Sequence, residues 1–402
     1  MKNKQFIIFF IILVVAIIGV CIYQGVNQDN ILKNQTDSNV NTSNEFSSNS
    51  VDNQIDDIVE ENLDSSKPLK IHAQLDDGRC WGQLAIENSG NILGFTQMEN
   101  DKPSELFLYN INNSEVKPFY TLEPNWSPAP AQINDNFILW EEYLTEESDL
   151  RPMRIMLYNR DTNEVTKIHE DLNYNKNLPF IRTCLGEDTA YWSTGYFKDD
   201  TIIHCIMKYD ILSKEKCLYK DMATAPAIND NHFIWLGPED DTLTNTAAFQ
   251  ENLDTKEITR ITSSKSPNHI VGSDERVIFS GLDKPSSYDK NIKDVWSICL
   301  YEDGIITKIR TSSGSDDIFE FPQFNGKFVG WRGTDKLRLY SVDEKKSYIL
   351  TDKCANYTEV TLCDNYALWN SPVIDDEKKA KEDAMERGMY DSYIYILPLD
   401  DM

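Results

Sequence analysis

The chain has 402 residues, with 66 acidic and 39 basic side chains that give a formal net charge of −27. This acidic balance argues against nucleic acid and anionic lipid headgroups as partners, because phosphate binding needs clustered Lys and Arg. Hydrophobic residues make up 40% of the chain, which is enough for a substantial core.

An apolar run near the N-terminus predicts a membrane anchor. Lys2 and Lys4 precede 18 uncharged residues at 6–23, and at about 1.5 Å per residue these cross a bilayer core of ~30 Å with little tilt. The lysines place the N-terminus in the cytoplasm, so we expect residues 1–26 to form a cytoplasmic tip and transmembrane signal anchor in a bacterial cell membrane. A lipoprotein signal at Cys21 and a cleaved signal peptide are the alternatives.

The next stretch, residues 27–67, is rich in Asn, Ser, Asp and Glu and poor in aromatic side chains. Such a composition buries too little apolar surface to offset the entropy of an unfolded chain. We therefore predict a disordered polar linker here, followed by an extracytoplasmic folded domain over residues 68–402.

The folded part repeats one phrase. Each copy is a polar turn and a β-rich run that ends in an aromatic residue, as in NDNFILW at 134–140 and NDNHFIW at 229–235. A strand, a polar turn and a second strand follow, as in IMLYNRDTNEV at 155–165. We expect the terminal aromatics to pack between repeats; they are Phe95, Trp140, Trp192, Trp235, Phe279, Trp331 and Trp369.

The repeat unit predicts a β-propeller. Four short antiparallel strands in roughly 45 residues are typical of one blade, and in the second repeat we place them near 129–133, 136–143, 153–158 and 164–169. The seventh repeat holds only three strands, whereas residues 69–75 form a strand that belongs to no first repeat. We therefore predict an all-β, seven-bladed propeller closed by this N-terminal strand.

The hairpin sequences carry a family resemblance. LYNINNSE, LYNRDTNE and KYDILSKE resemble the LYxxD-type hairpins of TolB-like β-propellers and of the related propellers of dipeptidyl-peptidase-type enzymes. The corner departs from that family, which favours Ser-Pro-Asp-Gly where this chain has Asn-Asp-Asn or Gly-Glu-Asp. The resemblance covers residues 69–402, implies the fold, and carries over no catalytic residue.

The cysteines give no sign of a metal site. Seven of the eight lie outside the apolar run, without a C-x-x-C pair or a Cys/His spacing suited to zinc. We interpret them as small buried side chains. A disulfide between Cys205 and Cys217, on two strands of one predicted hairpin, is the alternative.

Binding is predicted at the face where long, variable and acidic loops join the second and third strands of each blade. A solvated acidic rim, a surface for a cationic protein or peptide, and a calcium site are all compatible with these carboxylates; no other cofactor is expected. Residues 375–389 have the pattern of a short helix on this face. The candidate binding residues are Glu142, Glu146, Asp149, Asp199, Asp200, Glu239, Asp240, Asp375 and Asp376, with Glu141 beside them.

Known catalytic motifs are missing from the sequence. No G-x-S-x-G, Walker or dinucleotide-binding motif occurs, and the five His residues are scattered. We therefore expect a non-enzymatic binding or scaffold module that engages an envelope protein, a peptide or a glycan. The alternative is a carbohydrate-active enzyme, a lyase or hydrolase that works through loop carboxylates.

Overall fold

The computed structural model describes residues 52–54 and 60–402, except 99–101, 146–149, 176–177, 179–180, 199–200, 230, 239–245, 263–265, 274, 283–294, 313–317, 335, 353–358, 374–390 and 401. The predicted anchor at 6–23, most of the predicted linker and the predicted helix at 375–389 lie outside these residues. Within the described part, no helix is long and apolar enough to cross a membrane.

Three strands precede the first blade: β1 (Asp52–Gln54), β2 (Glu60–Asn62) and β3 (Leu69–His72). The strands that follow form seven sheets in chain order. Blade 1 contains β4 (Trp81–Ile86), β5 (Asn91–Thr96), β6 (Glu105–Asn110) and β7 (Val116–Thr121). Blade 2 contains β8 (Trp126–Ile133), β9 (Phe137–Leu144), β10 (Met153–Asn159) and β11 (Glu164–Asp171). Blade 3 contains β12 (Thr183–Leu185), β13 (Thr189–Lys198), β14 (Thr201–Asp210) and β15 (Lys216–Asp221).

The later blades follow the same plan. Blade 4 contains β16 (Thr224–Asn229), β17 (His232–Pro238), β18 (Thr246–Asn252) and β19 (Ile258–Arg260). Blade 5 contains β20 (Ser266–Ser273), β21 (Arg276–Leu282), β22 (Trp296–Glu302) and β23 (Ile305–Thr311). Blade 6 contains β24 (Glu320–Phe324), β25 (Phe328–Arg332), β26 (Leu337–Ser341) and β27 (Lys346–Thr351). Blade 7 contains β28 (Thr361–Leu362), β29 (Tyr366–Pro372) and β30 (Ser392–Pro398).

The ring closes as predicted. Strand β3 pairs antiparallel with β30, with Leu69 opposite Ile396, and becomes the fourth strand of blade 7. The first strands of neighbouring blades contact one another around the whole ring. These first strands therefore line the central channel of an all-β, seven-bladed propeller.

The repeated corner has a local cause. Asn134 Oδ1 accepts hydrogen bonds from the backbone N–H groups of Asn136 at 3.0 Å and Phe137 at 2.7 Å, which fixes the turn. The Nδ2 group of the same residue donates to the Gly186 carbonyl of the next blade at 2.9 Å. Asn325 repeats both kinds of contact, so this asparagine ties its own turn and the neighbouring blade at once.

The core lies between the blades. Each interface between adjacent blades among the described residues holds its own cluster of buried apolar side chains. All the predicted terminal aromatics belong to these clusters, as in Trp140 between blades 1 and 2 and Trp192 between blades 2 and 3. Their predicted packing role is confirmed.

The register of blade 3 decides the disulfide question. Cys205 in β14 lies opposite Asp221, whereas Cys217 in β15 lies opposite Lys208. The two thiols are therefore displaced along the hairpin, and no disulfide joins them. Cys205 is buried and Cys217 is exposed, so the interpretation as small buried side chains holds for the first of the pair only.

Two strands lie inside the stretch predicted as a disordered linker. Strand β1 pairs in parallel with β23 of blade 5, and β2 pairs in parallel with β27 of blade 6. Glu60 Oε1 lies 2.8 Å from Arg338 Nε and 2.7 Å from Arg310 Nη1, so one carboxylate bridges two blades. This differs from the prediction of disorder. That prediction rested on the low apolar content of the stretch, and composition does not show that Glu60 forms ion pairs with the folded domain.

We expect Glu60→Gln to lower the free energy of unfolding by about 2 kcal/mol, because it removes the charge beside the Arg338 guanidinium, whose side chain is 2% exposed. Glu61→Gln is the matched control: its partner Lys346 lies at 2.8 Å, but Glu61 is 49% exposed, and exposed pairs contribute about 0–1 kcal/mol. Urea unfolding measures both. Equal losses would show that Glu60 does not hold β2 in place.

Candidate functional site

Titratable side chains from several blades meet at one mouth of the central channel. Arg182 stands directly before β12, His269 lies in β20, and Glu359 stands shortly before β28. Glu320 and Arg332, in β24 and β25, lie between the last two. We call these five residues the channel-mouth cluster.

Arg182 reaches across the mouth. Its Nη1 group donates to the backbone carbonyl of Asn268 at 3.2 Å, from blade 3 to blade 5. The first strand of blade 4, which lies between them, carries the small side chains Ala225 and Ala227 and leaves room for this crossing. Burial lowers the pKa of Arg182, and no carboxylate among the described residues lies within ion-pair distance of its guanidinium. A desolvated cation held by a carbonyl is suited to binding an anion.

His269 lies between this cation and a second one. Burial, Arg182 and Arg332 together lower its pKa to about 3, so the imidazole is neutral at physiological pH. Its Nδ1 atom lies 3.4 Å from Ser280 Oγ, and its ring lies 4.9 Å from the ring of Phe321. No described residue forms a hydrogen bond with Nε2, which is the nitrogen left to accept a proton.

Glu359 forms the far side of the cluster. Arg332 pairs with Glu320 at 2.7 Å, stacks over Phe321 at 4.6 Å, and lies 4.0 Å from Glu359. The side chain of Glu359 is 44% exposed, yet burial raises its pKa, with Glu320 adding to the rise and Arg332 opposing it. A carboxylate on a channel wall is reached by water from the channel and is desolvated by the protein on its other side. Such a group holds a proton more readily than an ordinary Glu.

Glu141 supports the cluster from blade 2. Its Oε1 atom accepts from the backbone N–H of Thr183 at 3.0 Å, and Oε2 accepts from the Tyr143 hydroxyl at 2.9 Å. Burial raises its pKa to about 7, although both hydrogen bonds and the charge of Arg182 oppose the rise. Glu141 therefore fixes the strand that begins next to Arg182.

The raised pKa of Glu141 gives a pH-dependent stability. The folded protein keeps the Glu141 proton to about pH 7, whereas the unfolded chain loses it near 4.5. The contribution of Glu141 to stability is therefore fully present below about pH 4.5 and is lost as the pH rises to about 7, and across this range we expect wild type to lose about 3 kcal/mol relative to Glu141→Gln. Urea unfolding of both proteins from pH 4.5 to 8 measures the difference. Curves that stay parallel across this range would contradict the assignment.

A repeat position generates the cluster. Ten residues before Trp192, Phe279 and Trp369 stand Arg182, His269 and Glu359. The same position in blades 2, 4 and 6 holds Pro130, Ala225 and Phe321. A β-bulge lies at or beside it in blades 2, 4, 5 and 6, and bulges re-aim side chains. Ala225 and Phe321 also have φ values of 51° and 50°, which are rare outside glycine.

The predicted binding residues are only partly described. Glu142 lies fully buried in β9, where it accepts from Trp140 Nε1 at 2.7 Å and from Arg154 Nε at 2.5 Å. It faces the interface between blades 1 and 2 with Trp140, away from the channel-mouth cluster. The other predicted positions lie outside the described residues: Glu146, Asp149, Asp199, Asp200, Glu239, Asp240, Asp375 and Asp376.

Sequence reasoning missed the channel-mouth cluster. Arg182, His269, Arg332 and Glu359 lie in or next to strands, whereas the predicted binding residues were chosen from loops. The signal was present in the alignment of the repeats, since one position that is otherwise small or apolar carries Arg, His or Glu in blades 3, 5 and 7.

Similar structures support the fold. One is an oligogalacturonate lyase in complex with manganese (TM-score 0.52, 10% identity), with 83% of this chain and 97% of that chain covered. An acylaminoacyl peptidase of Pyrococcus horikoshii gives TM-score 0.51 at 12% identity, covering 76% and 54% of the two chains. A prolyl endopeptidase gives TM-score 0.51 at 7% identity, covering 73% and 46%.

The chain thus spans nearly the whole length of the lyase and about half the length of the peptidases. No protein-family model and no curated protein matches the sequence. At these identities the likeness shows the fold, and it confirms the architectural resemblance to propellers of the dipeptidyl-peptidase type.

The main functional prediction is corrected by these comparisons. A non-enzymatic binding or scaffold module was expected, but the three similar structures are enzymes, a lyase and two peptidases, and nothing supports a scaffold. The prediction rested on the absence of linear catalytic motifs. Such motifs are a poor guide for a propeller, because residues from separate blades come together at its site. One of the three is a lyase and two are peptidases, all at 7–12% identity, so they assign no particular activity to this chain.

The similar lyase structure contains manganese, but the channel-mouth cluster of this chain offers no set of ligands for a metal ion. No group of three His, Cys, Asp or Glu side chains among the described residues is placed to hold a metal ion. His269 is flanked by two guanidinium groups, whose charge opposes a cation. The cluster does not fit a metal, and calcium stays a prediction for loop carboxylates outside the described residues.

Proposed function

We propose that this protein is a lyase that cleaves acidic, uronate-containing oligosaccharides at the mouth of its channel. The observation that carries this proposal is Arg182, a desolvated guanidinium that spans the mouth without a carboxylate partner among the described residues. A uronate carboxylate supplies the missing anion. The likeness to an oligogalacturonate lyase over nearly its whole length is consistent with this substrate class.

The cluster supplies the groups that β-elimination needs. Arg182 binds the uronate carboxylate and, by drawing off its charge, acidifies the hydrogen on the adjacent ring carbon C5. His269 Nε2 takes that proton: the imidazole is neutral at physiological pH, and the bound uronate carboxylate offsets the charges of Arg182 and Arg332 that otherwise make it a weak base. The C4–O bond breaks, a C4=C5 double bond forms, and the leaving oxygen takes its proton from Glu359, whose pKa is raised. Each atom and electron pair is accounted for without water.

A product assay tests the proposal. Purified protein would be incubated with oligogalacturonate, alginate, hyaluronan and neutral glucan, while new reducing ends and ultraviolet absorbance are followed together. We expect an acidic substrate to give both signals, since the new double bond is conjugated with the carboxylate. Reducing ends without absorbance would show a hydrolase. Neither signal with any acidic substrate would refute the assignment.

The location of this enzyme also stays a proposal. The apolar run at 6–23 supports an anchor in the cell membrane, with the propeller outside and an envelope or environmental glycan as substrate. Protease treatment of intact cells tests this, because an extracytoplasmic propeller is digested while cytoplasmic proteins survive.

A further inference from the structure

Phe321 has a backbone conformation that a bulky side chain rarely adopts. Its φ is 50°, in the left-handed region where Cβ crowds the neighbouring carbonyl oxygen. The residue lies in the bulge of β24, between Glu320 and Gln323, where the pairing with β25 is interrupted. Such conformations persist only where the surroundings hold them, and they are common at functional sites.

Blade 4 shows that the bulge does not need an aromatic side chain. Ala225 stands at the same repeat position, beside a bulge between Thr224 and Ala227, and its φ is 51°. The same backbone conformation therefore forms there with a methyl side chain. The presence of an aromatic residue in blade 6 is explained by what the Phe321 ring contacts.

The ring of Phe321 contacts two members of the channel-mouth cluster. Its centroid lies 4.9 Å from that of the His269 ring, and the two ring planes are tilted by 59°. The guanidinium carbon of Arg332 lies 4.6 Å from the same centroid. Tilted ring pairs and cations near an aromatic face are both favourable at such distances. One side chain thus links the imidazole of blade 5 to a guanidinium of blade 6.

Ser280 provides the second contact that fixes the imidazole. His269 lies directly opposite Ser280 in the pairing of β20 with β21, and Nδ1 lies 3.4 Å from the buried Ser280 Oγ. Ser280 therefore holds the ring at Nδ1, while Phe321 packs against it from the next blade. The neighbouring Arg332 is fixed as well, by Glu320 at 2.7 Å. Groups that are held in place before the substrate arrives need no reorganisation during the reaction.

We propose that Phe321 is the positioning residue of the channel-mouth cluster, which holds the His269 imidazole and the Arg332 guanidinium in place and keeps water from the imidazole. Its part in catalysis rests on the proposed function, because that function takes His269 as the base. Phe321 has no group that exchanges a proton, so it acts only through its two neighbours. The substrate is bound by Arg182, so loss of the Phe321 ring should lower kcat more than it raises KM.

Phe321→Gly tests this role in the full chain. Glycine suits the φ of 50°, so the ring is removed without adding strain to the backbone. We expect kcat on the acidic substrate to fall about tenfold with KM within about twofold, because a misplaced catalytic group is costly. Phe321→Tyr, which keeps the ring, should retain wild-type kinetics.

A second measurement needs no substrate. Diethyl pyrocarbonate modifies neutral imidazoles, and mass spectrometry of the peptide that contains His269 gives the rate at this residue. Phe321→Gly should react about tenfold faster than wild type, because the packed ring no longer has to open before the reagent can enter. Phe321→Tyr should react at the wild-type rate.

Phe119→Leu is the matched control for the loss of an aromatic contact. Phe119 stacks on Tyr158 at 4.5 Å in the cluster between blades 1 and 2, so this variant should keep wild-type kinetics and the wild-type modification rate of His269. Equal effects of Phe119→Leu and Phe321→Gly would refute the positioning role, since they would reveal a general disturbance. Wild-type kcat and modification rate in Phe321→Gly would also refute it, while the proposed function stands. A wild type that cleaves no acidic substrate would refute the proposed function, whereas faster modification of Phe321→Gly would still support the contact.

Discussion

Replacing Glu142 by Ala is expected to lower the free energy of unfolding by about 3 kcal/mol. The carboxylate is fully buried and accepts from Trp140 Nε1 and Arg154 Nε. Its loss leaves the buried Arg154 guanidinium stacked over Trp126 at 4.1 Å, with the exposed Glu123 as its only described carboxylate at 3.0 Å. A buried charge that loses its main partner is costly because water cannot reach it.

The control is Glu302→Ala, which breaks an Arg–Glu pair of similar length, 2.6 Å to Arg276, at a site that is 42% exposed. This variant should lower the free energy of unfolding by no more than about 1 kcal/mol, because exposed ion pairs contribute little. Urea unfolding of both variants gives the comparison. Equal and small losses would show that Glu142 is not structural and would return it to the list of binding candidates.

A double replacement separates the cost of losing the Glu142–Arg154 pair from the cost of leaving Arg154 buried without its main partner. Burial raises the pKa of Glu142 despite its bonds to Trp140 and Arg154, so its ionisation costs more free energy in the folded protein than in water. Glu142→Leu combined with Arg154→Met removes both charges at once. It should recover most of the stability that Glu142→Ala loses, since buried ion pairs are often replaced by apolar pairs at little cost.

The propeller was predictable because its signals are local and repeated. The predicted strand near 153–158 is observed as β10, Met153–Asn159, and the predicted closing strand at 69–75 is observed as β3, Leu69–His72. The corners of blades 2 and 6 each depend on an Asn side chain and the two backbone groups next to it, a contact that short sequence stretches encode. Strands β1 and β2 depend on partners more than 200 residues away, and no local pattern reports such pairs.

The site was harder to predict because its members belong to separate blades. Arg182 and Asn268 are 86 residues apart in sequence, yet their side-chain and backbone atoms lie 3.2 Å from each other. The prediction placed the site in acidic loops at the rim. The residues with shifted pKa values, Arg182, His269 and Glu359, instead lie at or near the start of the innermost strands. Composition separates loops from strands, but it cannot tell which strand residue a bulge turns towards the channel.

Arg182→Ala is expected to lower kcat/KM on the acidic substrate by about 100-fold or more, because removing a preorganised charged donor typically costs on the order of 10²–10³. Stability should change little: the variant loses one bond to the Asn268 carbonyl and also relieves the desolvation of a guanidinium. Steady-state kinetics and urea unfolding measure the two effects. Arg182→Lys should recover part of the activity, since it restores the charge without the two-pronged geometry.

Two further readouts separate a role in the site from a general disturbance. Arg276→Ala removes an arginine paired with Glu302 away from the channel mouth and should keep wild-type kinetics. Arg182 opposes the rise in the pKa of Glu141, so Arg182→Ala should extend the pH-dependent loss of stability above pH 7. Wild-type activity in Arg182→Ala would refute the role of this cation. Lost activity with an unchanged pH dependence would show that Arg182 acts on the substrate but lies too far from Glu141 to influence its proton.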